Sequence, residues 1–141
     1  MQASDPTRGQ LERSLAQGIE ALYRRELGHR PTKVSCRIFD EKIAIVLEEA
    51  ITQPELLLAN SGQEELAEQI RVDLDKALRP QLIQLIEDIV AVKVTDLLSD
   101  ATLETGRTGT IAILSEPPQI RVNSDPKIKK PKASESETDE A

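Results

Sequence analysis

The chain has 141 residues, with 18 Lys and Arg against 25 Asp and Glu, for a formal net charge of −7. That length is most simply one domain with tails. The acidic balance repels nucleic-acid phosphate, and no basic stripe offsets it. Hydrophobic residues make up 38% of the chain, but the aromatics are one Tyr (Tyr23) and one Phe (Phe39), so the core must be aliphatic and no surface exists for stacking bases. Cys36 is the single cysteine, which excludes an internal disulfide, and no CxxC or Cys/His cluster suggests zinc. A reducing, cytoplasmic location fits best. The start, MQASDPTRGQ, lacks the apolar core of a signal peptide. The longest apolar runs, such as Ile43 to Leu47, are far short of the roughly 20 residues a membrane span needs.

In chain order, residues 1–8 are polar and expected to be disordered. From Gly9 to Leu27, Leu11, Leu15, Ile19, Leu22 and Tyr23 recur at helical spacing and form one apolar stripe. Gly28 then stands where a helix-ending glycine belongs, and Pro31 cannot continue the helix. Residues 33–39 alternate, with Val34, Cys36 and Ile38 on one face. Residues 42–49 alternate again, with Ile43, Ile45 and Leu47 on one face. With Asp40-Glu41 between them, the two runs predict a hairpin. Asp-Glu is not a preferred hairpin pair, so its turn type stays open.

Thr52-Gln53-Pro54-Glu55 opens a short helix over about 53–60, with Thr52 as N-cap, Glu55 completing a capping box and Pro54 in the first turn. Asn60-Ser61-Gly62 stops it, and Ser61 or Gly62 is expected to cap the next. A long helix over about 63–89 follows, with the stripe Leu66, Ile70, Leu74, Leu78, Leu82, Leu85, Ile86 and Ile89. Pro80 lies inside it, which predicts a kink or two helices meeting near Arg79. Residues 91–98 predict a third strand and 110–114 a fourth, joined by a long polar loop, Ser99 to Gly109. Pro117-Pro118 marks the expected end of the domain, so the folded unit is placed at 9–116. The remainder, 117–141, carries Lys127, Lys129, Lys130 and Lys132 before Glu135, Glu137, Asp139 and Glu140, and is expected to be a disordered charged tail. Its four lysines are the only feature favouring nucleic acid.

Together these elements give an α+β fold: two β-hairpins forming an antiparallel four-stranded sheet, with an N-terminal helix and a long kinked helix packed on one face. Three stretches in this order, GHRPTKV, DEKIAIVLEEAITQPELLL and RVDLDKALRPQLIQLIEDIVAVKVTDLLSDATLETGRTGTIAIL, resemble a small bacterial domain family. It is named after the C component of a sodium-translocating, membrane-potential-generating system (MpsC-type). The resemblance covers roughly residues 10–115. It departs from the family at Arg30, where the family's stretch has a second glycine, and at Ile89-Val90-Ala91, where the family often has a glycine. The resemblance implies an accessory subunit of a membrane ion or inorganic-carbon uptake system.

Four cations around the end of the first helix, Arg24, His29, Arg30 and Lys33, are the candidate anion site. Their competing role is to complement the helix dipole at an ordinary helix end. A general-base histidine wants an orienting carboxylate, and the sequence names none for His29. Cys36, on an apolar strand face, is expected to be a buried small hydrophobe rather than a nucleophile. Asp96, Asp100 and Glu104 match no metal-loop template and are read as loop solvation and turn capping. Arg71 and Arg79 are expected on a solvated helix face, paired with nearby acids, with a partner interface as the alternative. No catalytic constellation, cofactor or metal is expected. The two open edges of the sheet predict a homodimer. The functional expectation is a non-enzymatic accessory or regulatory binding module, which the resemblance associates with a membrane ion or inorganic-carbon uptake system, with a small-anion- or ligand-sensing homodimer as the alternative.

Overall fold

A computed structural model describes residues 5–122 of the chain. Its elements run α1 (Arg8–Leu27), β1 (Lys33–Phe39), β2 (Lys42–Glu48), α2 (Gln53–Asn60), α3 (Glu64–Val90), β3 (Val94–Thr102) and β4 (Arg107–Leu114). The strands form one antiparallel sheet in the order β1-β2-β4-β3, so the two hairpins meet through β2 and β4. The helices cover one face, as an α+β fold requires when each element must bury its apolar side. The disorder expected for residues 1–4 and the charged tail expected over 123–141 lie outside the described residues.

α1 forms where the stripe places it, and Leu11, Leu15, Ile19, Leu22 and Tyr23 are all buried. Thr7 and Gln10 make a reciprocal capping box at its start. Gly28 ends it in the left-handed region (φ 65°), its N–H donating to the Arg24 carbonyl. Gly18 marks the crossing with α3, because a Cβ there would come within 2.8 Å of the Leu85 side chain.

The first hairpin has the expected register, with Phe39 paired to Lys42 and Asp40 in the left-handed conformation (φ 55°) that Asp tolerates. Cys36, Ile38, Ile43, Ile45 and Leu47 all enter the core. The second hairpin is longer than the sequence predicts. The polar stretch expected as loop is mostly strand, and only the turn at 103–106 remains. Strand pairing overrides weak β-propensity here. Ser99 and Thr110 join hydroxyls across the ladder at 2.9 Å, and Asp96 and Asp100 cap backbone N–H groups of their own strand.

α3 is one helix from Glu64 to Val90, without a junction near Arg79, and its N-cap is Gln63 rather than Ser61 or Gly62. Pro80 is tolerated because the carbonyl it leaves without a partner belongs to Lys76, and both residues are exposed to water. Past β4 the packing goes on beyond the expected boundary at 116. Pro118 is buried, Ile120 packs on the core, and the Arg121 N–H donates to the Pro6 carbonyl at 2.8 Å.

Candidate functional site

Between the N-terminal half of α3, α2 and the outer hairpin β3–β4 runs an open groove of about 1250 Å³. Leu22, Leu56, Leu78, Leu82 and Leu97 supply apolar wall. Glu64, Glu68, Asp75, Asp100 and Glu104 make its rim acidic against Arg71, Lys76 and Arg79.

At its centre lies Arg71, only 3% exposed, so the expectation of a solvated face is corrected. Its Nε and Nη2 donate to both oxygens of Glu55 at 2.9 and 2.8 Å, a bidentate pair with Glu55 itself 1% exposed. Nη2 also donates to the Ala50 carbonyl (3.1 Å) and Nη1 to Asp75 (3.2 Å). Glu55 completes its own set by accepting from the Thr52 N–H and the Thr52 hydroxyl (3.1 and 2.7 Å). The capping-box glutamate that starts α2 is therefore also the counter-ion that fastens α2 to α3. Four of the five guanidinium N–H groups are aimed at acceptors, three of them carboxylate oxygens, which compensates the buried charge.

Tyr23 and Asp75 flank this pair. Burial pushes the Tyr23 hydroxyl above its ordinary value, opposed by the neighbouring Arg71 and by hydrogen bonding to Thr108. Burial likewise raises the Asp75 carboxyl, again opposed by Arg71. The Arg71 guanidinium ends raised despite its own desolvation, because Glu55 holds the charged form.

Arg79 is exposed, and its Nη1 donates to the Leu97 carbonyl on β3 (2.9 Å), which ties α3 to the edge of the sheet. Asp96 and Asp100 belong to β3 rather than to a loop. They accept from the N–H groups of Leu97 and Ala101, and Glu104 lies in the 103–106 turn. Among the described residues no group of three His, Cys, Asp or Glu side chains could hold a metal.

Of the four candidate anion residues, Arg30 and His29 have separate partners. Arg30 pairs with Glu20 (2.6 Å) and His29 bonds the Glu49 carbonyl (2.6 Å), while Arg24 lies exposed in the last turn of α1 and Lys33 starts β1. His29 and the Thr32 N–H, which donates to the Glu48 carbonyl, dock the α1–β1 connection on the end of β2. Cys36 is 1% exposed, and burial pushes its thiol up to about 12, with Glu12 adding to the shift. It is a core residue with no thiolate at neutral pH.

Reading the sequence alone misses Glu55, Tyr23 and Asp75 as one network. One signal was present: Ala67, Arg71 and Leu78 share a helix face, four and seven residues apart, so Arg71 is in phase with the core.

A family model described as "Na+-translocating membrane potential-generating system (MpsC)" matches residues 7–116. No curated protein and no solved structure matches the chain.

Proposed function

The chain belongs to the MpsC family, and from that premise we propose that it is a non-enzymatic accessory or regulatory module of a membrane ion or inorganic-carbon uptake system. It works from the cytoplasm, peripheral to the inner membrane, and as a homodimer. The family's name connects it to a Na+-translocating, membrane-potential-generating system. No helix among the described residues is long and apolar enough to cross a membrane, which favours a peripheral role.

The observation that carries the binding reading is the groove between α3 and β3–β4. It is open, walled by leucines and rimmed by acids, and its central arginine is already matched to Glu55, Asp75 and Ala50. A groove of that kind suits an amphipathic partner segment with basic flanks better than it suits chemistry. The nucleophile candidates support the same reading, since the Cys36 thiol is buried and held protonated and the His29 ring nitrogen is engaged by a backbone carbonyl. The alternative, an anion sensor built on Arg24, His29, Arg30 and Lys33, has less support because Arg30 and His29 have separate intramolecular partners.

The test is affinity capture from detergent-solubilised membranes with wild-type protein and with Val72→Glu, a substitution on the exposed groove wall. Recovery of an integral membrane transport subunit by wild type, lost in Val72→Glu, is the expected result. Capture unchanged by the substitution removes the groove from the reading. If no membrane protein is captured and phosphate or bicarbonate stabilises wild type but not Arg30→Ala, the anion-sensor alternative replaces it.

A further inference from the structure

The helices cover only the Cys36, Ile45 and Ala112 side of the sheet. On the opposite side, strand alternation presents Lys33, Arg37 and Phe39 from β1, Lys42, Ala44, Val46 and Glu48 from β2, Arg107, Gly109, Ile111 and Ile113 from β4, and Asp96, Leu98 and Asp100 from the edge strand β3, where Leu98 and Asp100 also border the groove. Phe39, Val46 and Leu98 are 46%, 38% and 56% exposed, a large apolar content for a surface open to water. We propose that this open sheet face is the interface with a second copy of the chain, packed face to face about a two-fold axis running along the strands between β2 and β4.

Two independent patterns select that axis. The first is charge. The β1–β2 side carries Lys33, Arg37 and Lys42, and the β3 side carries Asp96 and Asp100, while Glu48 of β2 and Arg107 of β4 on the same face pair with each other at 2.8 Å. An axis along the strands lays β1 and β2 of one copy over β3 and β4 of the other at the same level, so Arg37 lies over the partner's Leu98, between its two aspartates, and Lys42 lies one strand from the partner's Asp96, each contact made twice as an isologous interface requires. An in-plane axis perpendicular to the strands lays β1 over β1 and brings like charges together.

The second is shape. The central strands pair Val46 with Gly109 and Ala44 with Ile111 across their ladder. A Cβ built on Gly109 would meet nothing within 4 Å, so the glycine leaves a hollow in the face. The same axis sets Val46 of one copy over the hollow at Gly109 of the other, and Ile111 over Ala44. Large faces small at both places, which is how two sheet faces interdigitate. The sheet edges are poor competitors. The Ile38 N–H on the β1 edge is taken by Glu12, and those of Leu97 and Ala101 on the β3 edge by Asp96 and Asp100.

This inference rests on the homodimer named in the proposed function and locates its contact. The test is mass by light scattering at micromolar concentration. Wild type is expected at twice the 15.6 kDa chain mass. Arg37→Glu/Lys42→Glu makes the face net acidic and Asp96→Lys/Asp100→Lys makes it net basic. Each alone is expected to run as a monomer, with affinity down by more than about 100-fold from like-charge contact, and an equimolar mixture is expected to recover the double mass. The aspartates also cap their own strand, so Val46→Asp, on the uncovered face, provides a separate break, and circular dichroism checks the fold of each variant. A monomeric wild type overturns the homodimer and this interface with it. A dimeric wild type whose folded charge-reversed and Val46→Asp variants stay dimeric overturns the interface alone.

Discussion

The C-terminal half of α3 buries Leu78, Ile86 and Val90 against α1 and the sheet, with Leu82, Ile83, Leu85 and Ile89 packed beside them. The N-terminal half, Glu64 to Ala77, buries only Ala67 and Arg71 and leaves Leu66 and Val72 each 46% exposed. One half is held by aliphatic contact, which is non-directional and grows with buried area. The other is held by a directional ion pair to α2 that fixes position without filling space. That is why the groove opens beside the second half and not the first. A hydrophobic anchor there would draw α3 onto the β3–β4 face, whereas Arg71 reaches Glu55 and lets the helix stand off.

The comparison breaks most sharply at Arg71. Arg71→Met leaves the Glu55 carboxylate buried without its cation, and we expect a loss of about 3–5 kcal/mol in denaturant unfolding. Arg71→Met with Glu55→Leu is expected to recover much of it, because the uncompensated charge goes too. Hydrogen exchange in the single variant should quicken over residues 53–75 before 78–90. The Cys36 thiol, buried on β1 beneath α1, should stay unreactive to alkylating reagent until global unfolding. If exchange quickens equally along α3, the two halves form one cooperative unit and the contrast fails.

Ile86→Ala tests the other half. Ile86 is fully buried, and the cavity should cost about 2–5 kcal/mol. Exchange should then rise through α1, α3 and the sheet together. At the end of that half, Ala91 takes the left-handed conformation (φ 60°, ψ 32°) as the helix cap, a strain of roughly 1–2 kcal/mol for a residue with a Cβ. Ala91→Gly should therefore raise the unfolding midpoint, corresponding to a stability gain of up to about 1 kcal/mol after the glycine's extra unfolded-state entropy. An unchanged or lower midpoint would mean that the strain is absorbed elsewhere.

The smallest effect is expected at Asp75. Its folded pKa is raised above the ordinary 3.8 because burial disfavours the carboxylate. The folded state therefore holds that proton more tightly than the unfolded one. The associated stability is complete below pH 3.8 and is lost as pH rises through the raised value. Asp75→Asn should flatten this slope, with a change below about 1 kcal/mol for a group 28% exposed to screening water. A slope that survives the substitution would assign it to other carboxylates.

The α1 stripe from Leu11 to Tyr23, the stop at Gly28 and Pro31, the alternation of Val34 to Leu47 and the Thr52–Glu55 cap are local patterns, and each formed where it was read. The second hairpin was legible only in its apolar parts. Ser99, Asp100 and Thr102 have turn chemistry in isolation and become strand once β4 supplies partners. Arg71 was misread because a charged side chain in a helix is ordinarily solvated, and nothing local says that a glutamate sixteen residues earlier will face it.

The sequence by itself determined the helices, the first hairpin and the aliphatic core, because helix and strand periods are properties of neighbouring residues. Only the tertiary structure decided the strand order, the burial of the Arg71–Glu55 pair, the groove beside it and the apolar face left open on the sheet. Each depends on residues far apart in the chain meeting across a gap, and sequence spacing does not encode that distance.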